Sequence, residues 1–191
     1  MIQFFELLDR SLFLQINGFH TPLMDVFMWQ MSESWHTYLF VFVMAFAFYK
    51  KYALKKAAEI VIGAAIVIAC TDLSSNLVKH AVKRYRPSHN TEIKSQVITV
   101  NAYKGGPYGF FSSHAANGIG ITAFFYLCLH WLNKKWRLLL FVYPLIICYS
   151  RIYLGVRYPS DILFGMLDGF LFSLIVYKIM NHHFFKFGEK T

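Results

Sequence analysis

Lys79, Arg86, Ser112, Ser113, His114, Arg151, Arg157 and Asp161 are the side chains whose types and spacing could do chemistry. Asp72, Asn76, Lys79, Lys83 and Arg86 recur at intervals of three and four, which predicts one stripe of a helix that Pro87 then ends. Ser112-Ser113-His114 opens an apolar segment, where the free backbone N–H groups of a helix start favour an anion. Ser150 and Arg151 close another apolar segment, and Asp161 opens the next, with Arg157 between them. Fixed cations, hydroxyls and a helix start together suit a phosphate group. Each residue also has a plainer reading. Lys79, Lys83, Arg84 and Arg86 could snorkel at a membrane surface. His114 alone could simply begin a helix, and Arg157 could form an ion pair with Asp161, four residues on.

The elements that must position these residues are apolar. The 191-residue chain is 57% hydrophobic and 19% aromatic, and only 15% of it is charged. Soluble domains carry about 25% charged residues, so lipid is the better solvent for this one. The net charge of +9 sits in short basic clusters between apolar runs, which argues against a nucleic-acid partner and for a bilayer. Five spans are expected: Trp35 to Tyr49, Ala57 to Val78, Ser112 to Trp131, Leu138 to Val156 with a kink at Pro144, and Ile162 to Met180. Residues 1–33 read as an amphipathic helix lying at the interface, because Asp9, Arg10, His20 and Asp25 interrupt any span. A sixth, broken span is the alternative. The expected fold is therefore all-α, a single membrane-embedded bundle of five to six helices over residues 1–191. Gly165 and Gly169 flank Asp168 and suit close helix packing. Cys70, Cys128 and Cys148 lie inside apolar runs and read as small hydrophobes; no metal-ligand spacing is present.

Orientation follows from lysine. Lys50, Lys51, Lys55 and Lys56, then Lys134, Lys135 and Arg137, then Lys178, Lys186 and Lys190 fall on one side if five spans alternate. That side is expected to be cytoplasmic, in the inner membrane. The loop after Arg84 and the Arg157-Tyr158-Pro159 turn then face the extracytoplasmic side, with the phosphate site.

Three motifs, in order, resemble those of the type 2 phosphatidic acid phosphatase superfamily. Lys79, six residues, then Arg86-Pro87 matches the first. "FSSHAAN" is similar to the second, usually Pro-Ser-Gly-His. "SRIYLGVRYPSD" is similar to the third: Ser-Arg, five residues, His, three residues, Asp. The resemblance implies hydrolysis of a phosphate ester or diphosphate of a membrane lipid, with no cofactor and no metal. Isoprenyl diphosphate, phosphatidylglycerol phosphate, phosphatidic acid and a lipid A phosphate are all candidate substrates. It implies that Lys79, Arg86 and Arg151 hold the phosphate, helped by Ser112 and the backbone at Ser113. His114 is implied as general acid to the leaving alkoxide. Asp161 is implied to orient the third-motif histidine, which attacks phosphorus. Ser113 stands for Gly and Phe111 for Pro, both mild departures. Arg157 stands where the nucleophile belongs, and a guanidinium offers no lone pair. The resemblance thus implies a phosphatase whose present chain is inactive. The alternative is a catalytically dead phospholipid-binding protein, or a lipid translocator on the same frame. A soluble haloperoxidase relative would lack the spans.

Overall fold

The computed structural model describes residues 2–185, so Lys186 and Lys190 lie outside the described residues. It contains eight α-helices: α1 (Ile2–Asn17), α2 (Pro22–Ser32), α3 (Trp35–Lys51), α4 (Leu54–Val82), α5 (Ser113–Cys128), α6 (Lys134–Leu139), α7 (Val142–Tyr153) and α8 (Pro159–Met180), the last ending in a π-helical turn, Asn181–Phe185. The only β pairing among the described residues is an isolated bridge between Tyr85 and Tyr108. The protein is an all-α membrane bundle. Three stretches are long and apolar enough to cross a bilayer: Leu54–Val82, Lys134–Tyr153 and Pro159–Phe184. The two other expected spans are shorter helices, 17 residues in α3 and 16 in α5.

α4, α5 and α8 pack on one another at the centre, with α3 against α4 and α7 against α5. α5 and α8 approach closely because Gly165 and Gly169 face the backbone of Ser112 and Ala116. A Cβ at Gly165 would lie 2.5 Å from the Ser112 carbonyl oxygen, and one at Gly169 would collide with the Ala116 carbonyl. This contact holds the start of α5, with its Ser-Ser-His, against the start of α8, with Asp161. Ile60 and Val67 on α4 and Phe124 and Phe125 on α5 are fully buried in a core between the central helices. Leu73, Leu77, Leu163 and Leu167 point outward as the lipid-facing girdle.

Four expectations are corrected. α4 stops at Val82, and Lys83 caps it in the left-handed region at φ 51°, so Arg86 is not on the helical stripe. Residues 84–86 run extended and pair with residues 107–109: Arg86 N–H donates to Pro107 O at 2.9 Å and Gly109 N–H to Arg84 O at 2.8 Å. In extended chain, alternate side chains share a face, so Arg84 and Arg86 point the same way. The break in the fourth span falls at residues 140–141, between α6 and α7, and not at Pro144 itself. A proline ring collides with the carbonyl four residues earlier, which here is Leu140. The N-terminal region is two helices, not one. Of its expected polar interruptions, Asp9 is buried at 8% exposed and Arg10, His20 and Asp25 are half-buried; Asn17, not among them, is buried at 1%. Asn17 donates to Tyr153 O at 2.8 Å and Ile98 O at 2.9 Å, and Asp25 accepts from the Tyr153 hydroxyl at 2.5 Å. α1 nonetheless presents Phe4, Phe5, Leu7, Leu8 and Leu12 outward. The fourth correction, to the pairing of Asp161, belongs to the site.

Candidate phosphate site at the helix α5 start

Lys79, Arg86, Ser112, Ser113, His114, Arg151, Arg157 and Asp161 lie at one end of the bundle, where α4 and α7 end and α5 and α8 begin. Lys79, on the last turn of α4, donates from Nζ to Ser113 Oγ at 3.1 Å and to Ser75 Oγ at 3.4 Å. Ser112 is the N-cap of α5; its side-chain oxygen accepts from Ala115 N–H at 3.3 Å. Its own N–H donates to the Asp161 carbonyl at 2.9 Å, so that donor is already used. His114 lies within electrostatic reach of Arg151, Arg157, Arg86 and Lys79. Gly109 marks where the chains meet. A Cβ there would lie 3.1 Å from Arg86 Cγ, 3.1 Å from Asp161 Oδ2 and 3.7 Å from Arg157 Nη1.

The guanidinium groups are held by few acceptors. Arg86 donates from Nε to Tyr108 O at 3.0 Å. Arg151, 2% exposed, donates to Ser32 Oγ and reaches the Tyr103 hydroxyl at 3.5 Å. Arg157, also 2% exposed, donates from Nη1 to Phe111 O at 3.3 Å. Arg86 Nη1, Arg151 Nε and Arg157 Nε are buried with no hydrogen-bond partner. Buried polar groups are nearly always paired, so three unpaired donors on cations within electrostatic reach of one another suit an anion. Burial, then the charge of Arg86, pulls the Arg157 pKa down to about 9. It stays protonated at neutral pH. Burial and the Arg151 charge lower that of Arg86 in the same way.

Asp161 does not pair with Arg157. Its Oδ1 accepts from Arg84 Nη1 at 2.8 Å and its Oδ2 from the Tyr158 N–H at 3.0 Å. Arg84 also donates to Asp9 Oδ2 at 2.6 Å and Ser160 Oγ at 2.7 Å, and its guanidinium lies 4.2 Å from the Tyr158 ring centroid. Asp9 in turn accepts from Ser160 N–H at 2.8 Å. This clamp ties α1, the loop after α4 and the start of α8 together. Sequence reasoning placed Arg84 only among possible surface cations. Its signal was its position two residues before Arg86, visible only once the chain there is extended. Tyr103 and Glu33 were also missed, and nothing in their local sequence distinguishes them; Asp9 was read only as an interruption of an N-terminal span.

Beside Ser113 and His114 opens a cavity of about 300 Å³ between the α2–α3 turn, α4, α5 and α7. Ser32, Glu33, Thr37, Asp72 and Asn117 line it. Asn117 donates to Asp72 Oδ1 at 2.9 Å and accepts from the Thr71 hydroxyl at 2.5 Å.

Known proteins resemble this chain in sequence and in fold. The family model described as PAP2 superfamily matches residues 57–185. A lipid A 4'-phosphatase of Porphyromonas gingivalis is 36% identical over 175 residues, covering 90% of this chain and 72% of that protein. A lipid A 4'-phosphatase of Bacteroides thetaiotaomicron is 33% identical over 189 residues, covering 94% and 81%. Among solved structures, Aquifex aeolicus LpxE superposes with a TM-score of 0.70 at 24% identity, covering 90% of this chain and 95% of that one. A transmembrane PAP2 type phosphatidylglycerolphosphate phosphatase from Bacillus subtilis gives 0.67 at 18% identity, covering 91% and 87%. With its apolar spanning helices and three ordered motifs, the chain is an integral membrane protein belonging to the PAP2 superfamily.

Proposed function

We propose that the chain binds the phosphate of a membrane lipid at the α5 start, in the manner of a lipid phosphatase, and that Arg157 leaves it without a nucleophile. The observation that carries the binding is the set of unpaired buried donors on Arg86, Arg151 and Arg157 around His114. Lys79, Arg86 and Arg151 hold the phosphate oxygens, with Ser112, Ser113 and the backbone of the α5 start. His114 stands ready to protonate the leaving oxygen. Were residue 157 a histidine, it would attack phosphorus, the leaving alkoxide would take the His114 proton, and water would then release phosphate from the imidazole. Arg157 instead adds a fourth cation to the grip. The two curated relatives support a lipid A phosphate over the other lipids as the molecule held.

Orthophosphate binding tests the grip. Arg86→Ala removes an inward-pointing guanidinium, and a charge-assisted hydrogen bond contributes about 1.5–3 kcal/mol. Orthophosphate affinity, measured by calorimetry in detergent, is expected to fall about 10- to 100-fold. An unchanged affinity places the anion elsewhere.

The site faces the extracytoplasmic side of the inner membrane. The basic loops at 50–56 and 134–137 support this orientation. With Lys94→Cys, Lys104→Cys and Lys55→Cys, an impermeant maleimide applied to intact cells is expected to label the first two and spare the third. The opposite pattern inverts the topology.

A further inference from the structure

We infer that Tyr103 is a further phosphate ligand: its phenolic O–H, steadied beside Arg86 and Arg151, donates to an oxygen of the anion that those arginines hold. This rests on the proposed phosphate site and adds to it a residue that none of the three motifs contains.

The loop between α4 and α5 delivers it. Asn101 and Ala102 both take the left-handed conformation at φ 53°, in a turn without glycine. That conformation is unfavourable for both residues, so contacts beyond the turn must hold it. Tyr103 supplies them. Its ring meets Trp29 of α2 edge to face, with centroids 5.5 Å apart. It also packs on the buried cluster of Met28, Tyr153, Leu154 and Val156. The Arg151 guanidinium carbon lies 5.8 Å from the ring centroid. Two residues on, Gly105 at φ 64° passes over Arg86 so closely that a Cβ would collide with Nη1. The loop therefore closes over the cationic end of the bundle, with the Tyr103 hydroxyl among its arginines.

What faces that hydroxyl is mostly positive. Arg151 Nη2 reaches it at 3.5 Å, and Arg86 and Arg157 are close enough to interact with it. His114 lies within reach of the same three arginines. Lys104, next along the chain, is exposed. Of the nearby acids, Asp161 is bonded to Arg84 and to the Tyr158 N–H. Glu33 is exposed and acts on Arg151. A phenol has one donor and two acceptor positions. In this field its lone pairs turn to the guanidinium groups, and its proton is left for an anion.

Burial by itself would raise the Tyr103 pKa. The hydrogen bond and charge of Arg151, with the charges of Arg86 and Arg157, outweigh it and hold the phenol below the ordinary tyrosine value. A more acidic hydroxyl is a stronger donor to an anion. An uncharged donor also suits this place. Lys79, Arg86, Arg151 and Arg157 already bring like charges together, and a phenol adds a bond to phosphate without adding to their repulsion.

Tyr103→Phe tests this, because it removes the oxygen and keeps the ring with its contacts to Trp29 and Arg151. Orthophosphate affinity, measured by calorimetry on the full chain in detergent, is expected to fall about tenfold, the lower end of what a hydrogen bond to a charged group contributes. The melting temperature is expected to stay that of the parent. Orthophosphate is also expected to perturb the near-ultraviolet tyrosine absorbance of the parent, and that change is expected to vanish in Tyr103→Phe. A ring with only a structural role would leave both affinity and spectrum unmoved by loss of the oxygen. Unchanged affinity, or a loss of affinity with the difference spectrum intact, overturns the inference. Tighter binding by Tyr103→Phe overturns it as well, by making the hydroxyl a plug that the anion must displace. In each of these cases weakened binding by Arg86→Ala keeps the phosphate site standing. A parent that does not bind orthophosphate overturns the phosphate site, and the role of Tyr103 with it.

Discussion

Arg157→His is expected to turn on release of inorganic phosphate from a lipid phosphate by on the order of 10³-fold or more over the parent chain, since covalent catalysis fails almost completely when its nucleophile is removed. The space exists. Arg157 is buried beside Phe111 and Gly109, and an imidazole is shorter than the guanidinium it would replace. The orienting partner is less obvious than the motif implies, because Asp161 already accepts from Arg84 and the Tyr158 N–H. A carboxylate offers about four lone-pair positions, so a third bond to a ring N–H remains open. The Phe111 carbonyl, which Arg157 now uses, is a second acceptor at the same place. The experiment compares phosphate release by both forms from a panel of phosphorylated lipids in detergent. Equal rates would exclude a phosphohistidine route through position 157. Two inactive forms that both bind lipid would favour the non-catalytic binding protein. The Arg157→His form alone releasing phosphate is the expected result.

The second large effect is on the framework. Arg84→Ala removes the cation shared by Asp9, Asp161 and Ser160. Asp161 is fully buried and Asp9 nearly so. Stripping the partner from a buried charge costs about 3–5 kcal/mol, far more than the intact pair contributes against an apolar substitute. A marked fall in the detergent melting temperature is expected, together with weakened orthophosphate binding, since Asp161 sits beside Arg157 and Arg86 at Gly109. Arg84→Ala/Asp161→Asn should recover part of the stability, because it removes one stranded charge, but not the binding. If Arg84→Ala melts with the parent, the clamp is only a surface contact. If the double variant melts no higher than Arg84→Ala, the cost lies in lost packing on Tyr158 and not in the charge.

What the chain declares by itself is set by local pattern. Apolar runs ended by lysines announce helices in lipid, because no polar backbone may be left unpaired there. Lys79, His114 and Arg151 sit at fixed offsets from helix ends, so their common level could be read from periodicity. Gly165 and Gly169 marked α8 as a helix that packs closely, but that its partner is the start of α5 came from the structure. Arg157 as a misfit was legible only through the resemblance, which implies a histidine at that position of the third motif, and a guanidinium lacks its lone pair. The rest depended on contacts between distant segments. Lys83 adopts the left-handed conformation without being a glycine, so nothing local warned that α4 would stop at Val82, short of Pro87. That stop turns Arg84 and Arg86 to one face, where pairing with residues 107–109 settles their direction. Asp9, more than seventy residues away, then competes with residue 157 for the surroundings of Asp161 by binding the same arginine. Glu33 and Asp72 become walls of one cavity only because α2, α4 and α7 close around the start of α5. Spacing along a helix reveals what lies on one face. Which face meets which, and which charge a buried acid keeps, is decided when packing removes water and every donor must find its acceptor among the chain's remote parts.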